Sequence, residues 1–523
     1  MDMTKLEIYD CTLREGEQAA GVRFSINERL EIAQALSDIG VDYIELGWPV
    51  HPEVLEAFHQ IKKIKLNSKI VAFGSTSIAA NAEEDKNLES LIKSQAEYAC
   101  IFGKSWLEHV EKQLRISAEE NLKKISDSIT FLRQNGMKVF YDAEHYFDAF
   151  KSNREYALET LKKASEAGAE RIILCETNGG AMPDEVKEIV KETKKYLEEN
   201  KIIAGLGVHF HNDCGLALAN TLESLDYIKQ IQVTVNGIGE RVGNADLCEV
   251  VPVLILKKGK KLNVQLEGLK DLSELVYDAA NLPGQITQAF VSSHAFSHKG
   301  GVHIDATRKG ASYEHIDPEE LGLSHKLMLS SLGGAACVIS AAEKFGYKLD
   351  KKDESTKKKI SLVLEELSEL EKKGYDCGDI EAEQFILIEK HFGDFKTFFK
   401  VNEWNVKTND EDKSRFYMST KINGNTHEIE KEIIGGPVDA AYKAMFELIS
   451  KNYPEIGELK LSDYKVRIAK SHGVESSVRT RIEFSDGEQF STVGVSDNII
   501  KSNIEAIEKA FNYYLNRKYL NKD

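Results

Sequence analysis

Asp38-Ile39-Gly40-Val41-Asp42-Tyr43-Ile44-Glu45-Leu46-Gly47-Trp48 ends a helix, turns on one glycine and runs into an apolar strand. A glycine just past a helix supplies the left-handed residue that closes it. The same helix–glycine–strand join recurs at Asn135-Gly136-Met137 and at Glu166-Ala167-Gly168-Ala169. Upstream, Ser25-Ile26-Asn27-Glu28 is a capping box that starts the first helix, and Gly40 is placed to end it. Working outward, the first 250 residues give eight strand candidates: Leu6–Cys11, Val41–Trp48, Ile70–Ser75, Tyr98–Gly103, Lys138–Glu144, Arg171–Asn178, Gly207–Asp213 and Ile231–Gly239. Eight strands separated by amphipathic helical stretches predict an α/β fold, a (β/α)8 TIM barrel. A doubly wound open sheet is the rival, but it usually has fewer strands and a glycine-rich first turn, which this chain lacks.

At 523 residues the chain exceeds one ordinary core, so two or three domains are expected. The barrel is expected over 1–275, a helical linker or lid subdomain over 276–379, and a C-terminal α+β domain over 380–523. The linker carries a loop rich in His, Gly and Ser (Ser292–Tyr313), then a lysine- and glutamate-rich stretch, Lys351–Lys373, that reads as a solvated helix. Gly374–Asp379 reads as a hinge. From Ile380 the pattern alternates, as in Lys465-Val466-Arg467-Ile468 and Val478-Arg479-Thr480-Arg481-Ile482, and an amphipathic helix (Ile499–Tyr519) follows. Charged residues make up 29% and hydrophobic ones 42%, a soluble globular balance. No apolar run reaches the ~18 residues of a membrane span. The start, Met1-Asp2-Met3-Thr4-Lys5, lacks the apolar core of a signal peptide. Seven scattered cysteines without C-x-x-C spacing read as reduced filler in a cytoplasmic protein. The net charge of −17 argues against nucleic acid or an anionic membrane as partner and leaves room for a phosphorylated small molecule.

In a parallel barrel, active sites collect at the C-terminal ends of the strands. The polar clusters fall there. Arg14-Glu15-Gly16-Glu17-Gln18 follows the first strand, Glu144 ends the fifth, and Glu176-Thr177-Asn178-Gly179-Gly180 ends the sixth. In Gly207-Val208-His209-Phe210-His211-Asn212-Asp213 the alternation of side chains puts His209 and His211 on one side of the seventh strand. Gly237-Ile238-Gly239-Glu240-Arg241-Val242-Gly243-Asn244 follows the eighth. Closure sets the first strand beside the eighth and the eighth beside the seventh, so Glu15, both histidines and Asn244 can converge. Two neutral imidazoles and one carboxylate hold a divalent cation with coordination positions open. Such a cation chelates a 2-oxo acid through its carboxylate and keto oxygens and polarises the keto carbon. Zinc, manganese and magnesium all suit the set.

Each cluster has a plainer reading beside this one. The two histidines can be satisfied by hydrogen bonds alone. Arg14 and Glu15 can be a surface ion pair, Glu144 a solvated acid, and Thr177 a turn residue before Asn178-Gly179. His294, His298 and His303 can be a loose histidine-rich loop. Gly237–Gly243 lacks the lysine of a phosphate loop. Arg308-Lys309 and Lys104 are either coenzyme-phosphate contacts or solvated charges.

Three of these motifs, Thr12-Leu13-Arg14-Glu15-Gly16-Glu17-Gln18, Gly207–Asp213 and Gly237–Asn244, carry a resemblance to a known family. The chain resembles the metal-dependent acyl-CoA Claisen condensing enzymes: isopropylmalate, homocitrate and citramalate synthases, with hydroxymethylglutaryl-CoA lyase as a cousin. The long citramalate synthase branch is the most similar. It is suggested by Phe73-Gly74-Ser75-Thr76, Asp142-Ala143-Glu144-His145, Cys175–Gly180, Ser297-His298-Lys299-Gly300-Gly301-Val302-His303 and Tyr313-Glu314-His315-Ile316-Asp317-Pro318. Gly436-Pro437-Val438-Asp439-Ala440 and Asp463-Tyr464-Lys465-Val466-Arg467 resemble that family's regulatory domain.

The resemblance implies that Glu15, His209 and His211 hold the metal, with Asn244 a fourth ligand. It implies that Arg14 binds the charge growing on the former keto oxygen, that Thr177 binds the substrate carboxylate, and that Glu144, His303 and Tyr313 serve the proton transfers. His303 or Glu144 is the base. The implied reaction joins acetyl-CoA to pyruvate, giving citramalate on a route to isoleucine. A homodimer follows, with the loop of His303 reaching a neighbouring subunit, and so does an amino-acid effector, isoleucine or leucine, at the C-terminal domain. Sister synthases acting on 2-oxoisovalerate or 2-oxoglutarate, a lyase, and a catalytically dead amino-acid sensor are the rival readings. The chain departs from the citramalate pattern at Glu15 and Glu17, where Asp and Ala are more usual, a form closer to homocitrate synthase. It departs again at Ser77-Ile78, where an arginine is expected.

Overall fold

The three helix–glycine–strand joins form as read: φ is +92° at Gly40, +86° at Gly136 and +99° at Gly168. The capping box forms too. Glu28 N donates to Ser25 Oγ at 3.3 Å and Ser25 N to Glu28 Oε2 at 2.7 Å, which starts the helix Ile26–Asp38. The structure is a computed structural model and describes residues 6–299, 313–350, 352–375, 377–378, 380–409, 413–422, 425–470 and 477–520. His303, Arg308 and Lys309 lie outside the described residues.

Eight parallel strands close a barrel in sequence order: β1 (Glu7–Asp10), β2 (Tyr43–Gly47), β3 (Lys69–Ser75), β4 (Tyr98–Lys104), β5 (Lys138–Glu144), β6 (Arg171–Glu176), β7 (Gly205–Phe210) and β8 (Gln230–Val233). β8 pairs back onto β1 from Glu7↔Gln230 to Asp10↔Val233. Both late strands are shorter than the sequence reading. After β8 the chain coils into a tight turn, Val235–Gly237, and His211 leaves the ladder of β7 for an isolated bridge to Asn244.

The lumen is filled in layers, as parallel barrels require. Tyr9, Tyr43, Tyr98 and Phe140 pack with ring centroids 5.2–6.2 Å apart. Arg171 of β6 donates to Glu7 of β1 at 2.8 and 3.0 Å, a pair that can be made only through the barrel interior. The layer above is polar, with Glu45, Asp142 and Gln232 all buried.

Met1–Ala295 with Ile316–Ser324 makes one compact unit, and Phe296–His315 with His325–Asp523 makes a second, so the span 276–379 is divided between them. In the second unit a short parallel pair, β9 (Ser297–His298) and β10 (Lys326–Leu327), precedes helices Gly334–Lys344, Glu354–Lys373 and Glu381–Phe392. Glu354–Lys373 is not the fully solvated helix its composition suggests. Ile360, Val363 and Leu367, spaced three and four apart, are buried against Val338 and Ile388.

The rest runs through the same order twice. β11 (Lys400–Thr408), β12 (Lys413–Ile422) and β13 (Asn425–Ile434) form an antiparallel sheet followed by helix Pro437–Asn452. β14 (Lys460–Lys470), β15 (Ser477–Ser485) and β16 (Gln489–Ser496) form another, followed by helix Ile499–Leu520. Phe416, Met418, Ile482, Phe484 and Phe511 share one core.

A Cβ at Gly40 would lie 2.5 Å from the Asn263 carbonyl oxygen, whereas one at Gly136 would meet nothing within 4 Å. Both carry the left-handed strain, so Gly136→Ala should cost about 1 kcal/mol and Gly40→Ala clearly more, read from urea midpoints. Equal costs would remove the steric part of this account.

In the second unit, burial pushes the Glu508 carboxyl up from 4.5 to about 7, and its Oε2 accepts from Val401 N at 2.9 Å. The folded state therefore holds this proton more tightly than the unfolded chain, and stability falls as pH rises from 4.5 to about 7. Glu508→Gln lacks that loss. It should gain up to about 3 kcal/mol on the parent between pH 5 and pH 8 in denaturant titrations.

Candidate metal centre

The ends of β1 and β8 are stitched before any ligand is placed. Asp10 accepts from Thr12 N at 3.0 Å and Thr12 Oγ1 at 2.8 Å, and the same hydroxyl accepts from Val235 N at 2.8 Å. This fixes the one-turn helix Thr12–Glu15, which delivers Glu15 to the mouth with 2% exposure. His209 and His211, 5% and 6% exposed, arrive from the end of β7 with Nε2 atoms 3.4 Å apart. Glu15 Oε1 lies 3.8 Å from His211 Nε2. Among the described residues, Glu15, His209 and His211 are the group of three side chains that could hold a metal ion, with one ligand atom from each lying within 4.8 Å of the others.

The electrostatics suit a cation. Burial, reinforced by the charge of His209, pushes His211 down to about 3, and burial also lowers His209, so both rings are neutral near neutral pH. Burial alone would raise Glu15, but the Arg14 guanidinium outweighs it and holds the carboxyl below its ordinary value. Gln232 Nε2 donates to Asp142 at 3.2 Å, so Gln232 Oε1 is left to accept from His209 Nδ1 at 2.8 Å. That fixes the ring proton on Nδ1 and turns the Nε2 lone pair inward. Asn244 Nδ2 lies 3.0 Å from His209 Nε2, and its Oδ1 is buried without a hydrogen-bond partner among the described residues. Two neutral imidazoles, a carboxylate and an orphaned amide oxygen are a donor set that fits a divalent cation.

Arg14 is no surface pair. Its side chain is 10% exposed, donates to Glu15 and, through Nε, to Glu45 at 2.5 Å, and stacks its guanidinium 3.8 Å from the Phe73 ring centre. Glu45 in turn accepts from Tyr9 Oη. Phe73 stacks on Phe102 at 5.6 Å, and Trp48 closes on both at 5.7 and 6.1 Å, its indole N–H bonded to Asn87 at 2.8 Å. These rings wall the mouth beside Arg14.

Thr177 Oγ1 accepts from His145 N at 2.9 Å, so its own proton is free to be donated. Arg241 grips both oxygens of Asp213 at 2.8 and 2.9 Å and the Thr177 carbonyl at 2.7 Å, binding the loops after β6, β7 and β8 together. Glu144, the last residue of β5, is no solvated acid: it faces Lys104 Nζ at 2.5 Å. Tyr313 is 51% exposed and belongs to the second unit.

Sequence reasoning passed over Glu45 and Gln232. The available signal was a charged or amide side chain inside an apolar strand, as in Tyr43-Ile44-Glu45-Leu46 and Gln230-Ile231-Gln232. Glu17 accepts from Phe24 N at 2.9 Å and pairs with Arg29 at 2.7 Å. Its departure from the citramalate pattern therefore serves the first loop. Asp85 accepts from Ile78 N at 2.8 Å and Ala79 N at 3.0 Å, and so holds the loop where an arginine was expected.

Barrel and mouth together define a (β/α)8-barrel enzyme whose buried cluster fits a divalent metal. Residues 5–276 match the HMGL-like family, residues 290–369 the homocitrate synthase post-HMGL domain-like family, and residues 380–515 the LeuA allosteric (dimerisation) domain. The chain is 41% identical to the (R)-citramalate synthase of Geobacter sulfurreducens over 529 residues, 98% of each chain. It is 40% identical to the (R)-citramalate synthase of Sulfolobus acidocaldarius over 99% of this chain and 98% of that one. It is 30% identical to the 2-isopropylmalate synthase of Methanocaldococcus jannaschii over 98% and 95%. The chain belongs to the HMGL-like family, in its citramalate synthase branch. No helix among the described residues is long and apolar enough to cross a membrane.

Glu15→Gln and His211→Ala should each abolish tight binding of Mn²⁺ to the full chain in equilibrium dialysis. Gln232→Leu, which frees the His209 ring, should weaken it by about 10- to 100-fold. Undiminished Mn²⁺ affinity in Glu15→Gln and His211→Ala would exclude this cluster as the metal centre.

Proposed function

We propose that the chain condenses acetyl-CoA with pyruvate and water to give citramalate and CoA, in the cytoplasm, on a route to isoleucine. The observation that carries the reading is the pairing of a metal-fitting cluster with a buried guanidinium, since a 2-oxo acid presents both an anionic chelate and a carbonyl oxygen that gains charge. Glu15, His209 and His211 hold a divalent ion (magnesium, manganese or zinc), with Asn244 the fourth ligand. A cation bound there acts as a Lewis acid toward the acceptor's keto group. Arg14, fixed by Glu15, Glu45 and Phe73, places a rigid positive charge where the keto oxygen becomes an alkoxide. Thr177 offers its free hydroxyl proton to the acceptor's carboxylate.

In the reaction a proton leaves the acetyl methyl, whose carbon forms the new bond to the keto carbon, and the alkoxide takes up a proton. Water then cleaves the thioester and releases the CoA thiol. Glu144, His303 and Tyr313 handle these protons, with His303 or Glu144 the base. The apolar wall of Trp48, Phe73 and Phe102 favours an acceptor with an apolar side chain, such as the methyl of pyruvate, over a carboxylated one. The division into barrel (1–275), linker (276–379) and regulatory domain (380–523) is part of this reading. So are a homodimer and an isoleucine or leucine effector, both supported by the match to the LeuA allosteric (dimerisation) domain.

Purified full chain with acetyl-CoA and Mg²⁺ or Mn²⁺ should release thiol fastest with pyruvate, more slowly or not at all with 2-oxoisovalerate and 2-oxoglutarate. Isoleucine or leucine added to the same assay should slow it. Silence with every acceptor defeats the proposal, and a faster rate with another acceptor reassigns the substrate. Rates indifferent to both amino acids remove the effector.

A further inference from the structure

We propose that Lys104 is a positioning residue for Glu144, holding in place the carboxylate that exchanges protons during the condensation. This rests on the reading of Glu144 given above. Lys104 and Glu144 are the last residues of β4 and β5 and stand opposite one another in the ladder. Nζ lies 2.5 Å from Glu144 Oε2, with the two side chains 11% and 23% exposed. A lysine on a strand end ordinarily extends its ammonium into water. This one is turned into the barrel mouth.

Both backbones are already anchored. The Lys104 carbonyl accepts from Asn121 Nδ2 at 2.8 Å, and the Glu144 carbonyl accepts from Ser105 N at 3.3 Å. The freedom that remains is rotation of the two side chains, which the ion pair restrains. An ammonium on Oε2 leaves Oε1 as the oxygen that takes up or gives back a proton.

His109 does not offer a substitute. His109 and His145 pack edge to face at 4.5 Å, with Trp106 stacked on His109 at 4.6 Å. Burial, helped by the charges of His145 and Lys104, lowers His109 below its ordinary value, so that ring does not replace the ammonium near neutral pH. The alternative reading makes Lys104 a contact for a coenzyme phosphate. Its burial against a carboxylate speaks for the internal role.

The test compares Lys104→Met, Lys104→Arg, Glu144→Gln and the double variant Lys104→Met/Glu144→Gln in the thiol-release assay. Lys104→Met should lower kcat about 10- to 100-fold with KM for acetyl-CoA within about twofold, and Lys104→Arg should recover most of the rate. The double variant should be no slower than Glu144→Gln alone, because Lys104 acts through Glu144. It also leaves no buried charge unpaired, so it carries the comparison if Lys104→Met folds poorly. A raised KM with kcat kept would return Lys104 to the coenzyme, and multiplicative losses in the double variant would give it a separate role. Either overturns the inference while leaving Glu144 in place. Full activity in Glu144→Gln would instead remove Glu144 from the chemistry and this inference with it.

Discussion

Arg14 lies between two carboxylates, Glu15 and Glu45, in a mouth that admits little water, and the charge it leaves unbalanced governs the rest of the site. Against one guanidinium stand two acids, while the imidazoles beside them are kept neutral by burial. A divalent ion added to such a cluster sets two further positive charges beside the guanidinium and makes it a receptor for an anionic acceptor. The protein sustains the arrangement by satisfying the acids from below: Tyr9 on Glu45, and the Asp142–Gln232–His209 chain beneath the histidines. Buried acids of this kind cost stability unless each finds a donor. The polar layer inside the barrel is therefore the support of the mouth, and the aromatic layer under it closes the lumen.

Much of this could be read from the chain alone, for a physical reason. Polar clusters at the ends of apolar runs mark strand termini, and closure of a parallel barrel brings termini together however far apart they lie in sequence. That made Arg14, Glu15, His209, His211 and Asn244 legible. The residues that hold them were harder to see. Glu45 and Gln232 sit inside strands, where a polar residue in an apolar run has no pattern of its own. Their partners are fixed by the register of the closed sheet, which sequence spacing does not reveal. Lys104 and Glu144 were both noticed, yet their pairing needed the β4–β5 register. Composition misled once, at Glu354–Lys373, where lysine and glutamate mask a buried stripe of Ile360, Val363 and Leu367. Glu17, part of a motif form closer to homocitrate synthase, braces Phe24 and Arg29.

The clamp made by Arg241 divides the rim into two arcs of different temper. On one side, the loops after β6, β7 and β8 are cross-bolted through Asp213 and the Thr177 carbonyl, and β8 is tied to β1 through Thr12 and Val235. On the other, Trp48, Phe73 and Phe102 meet chiefly as ring faces and edges, which can be reshaped without breaking any of those bonds. Such a mouth holds the reactive chemistry rigid on one half, while on the other Trp48 and Phe102 can be exchanged to suit a different guest.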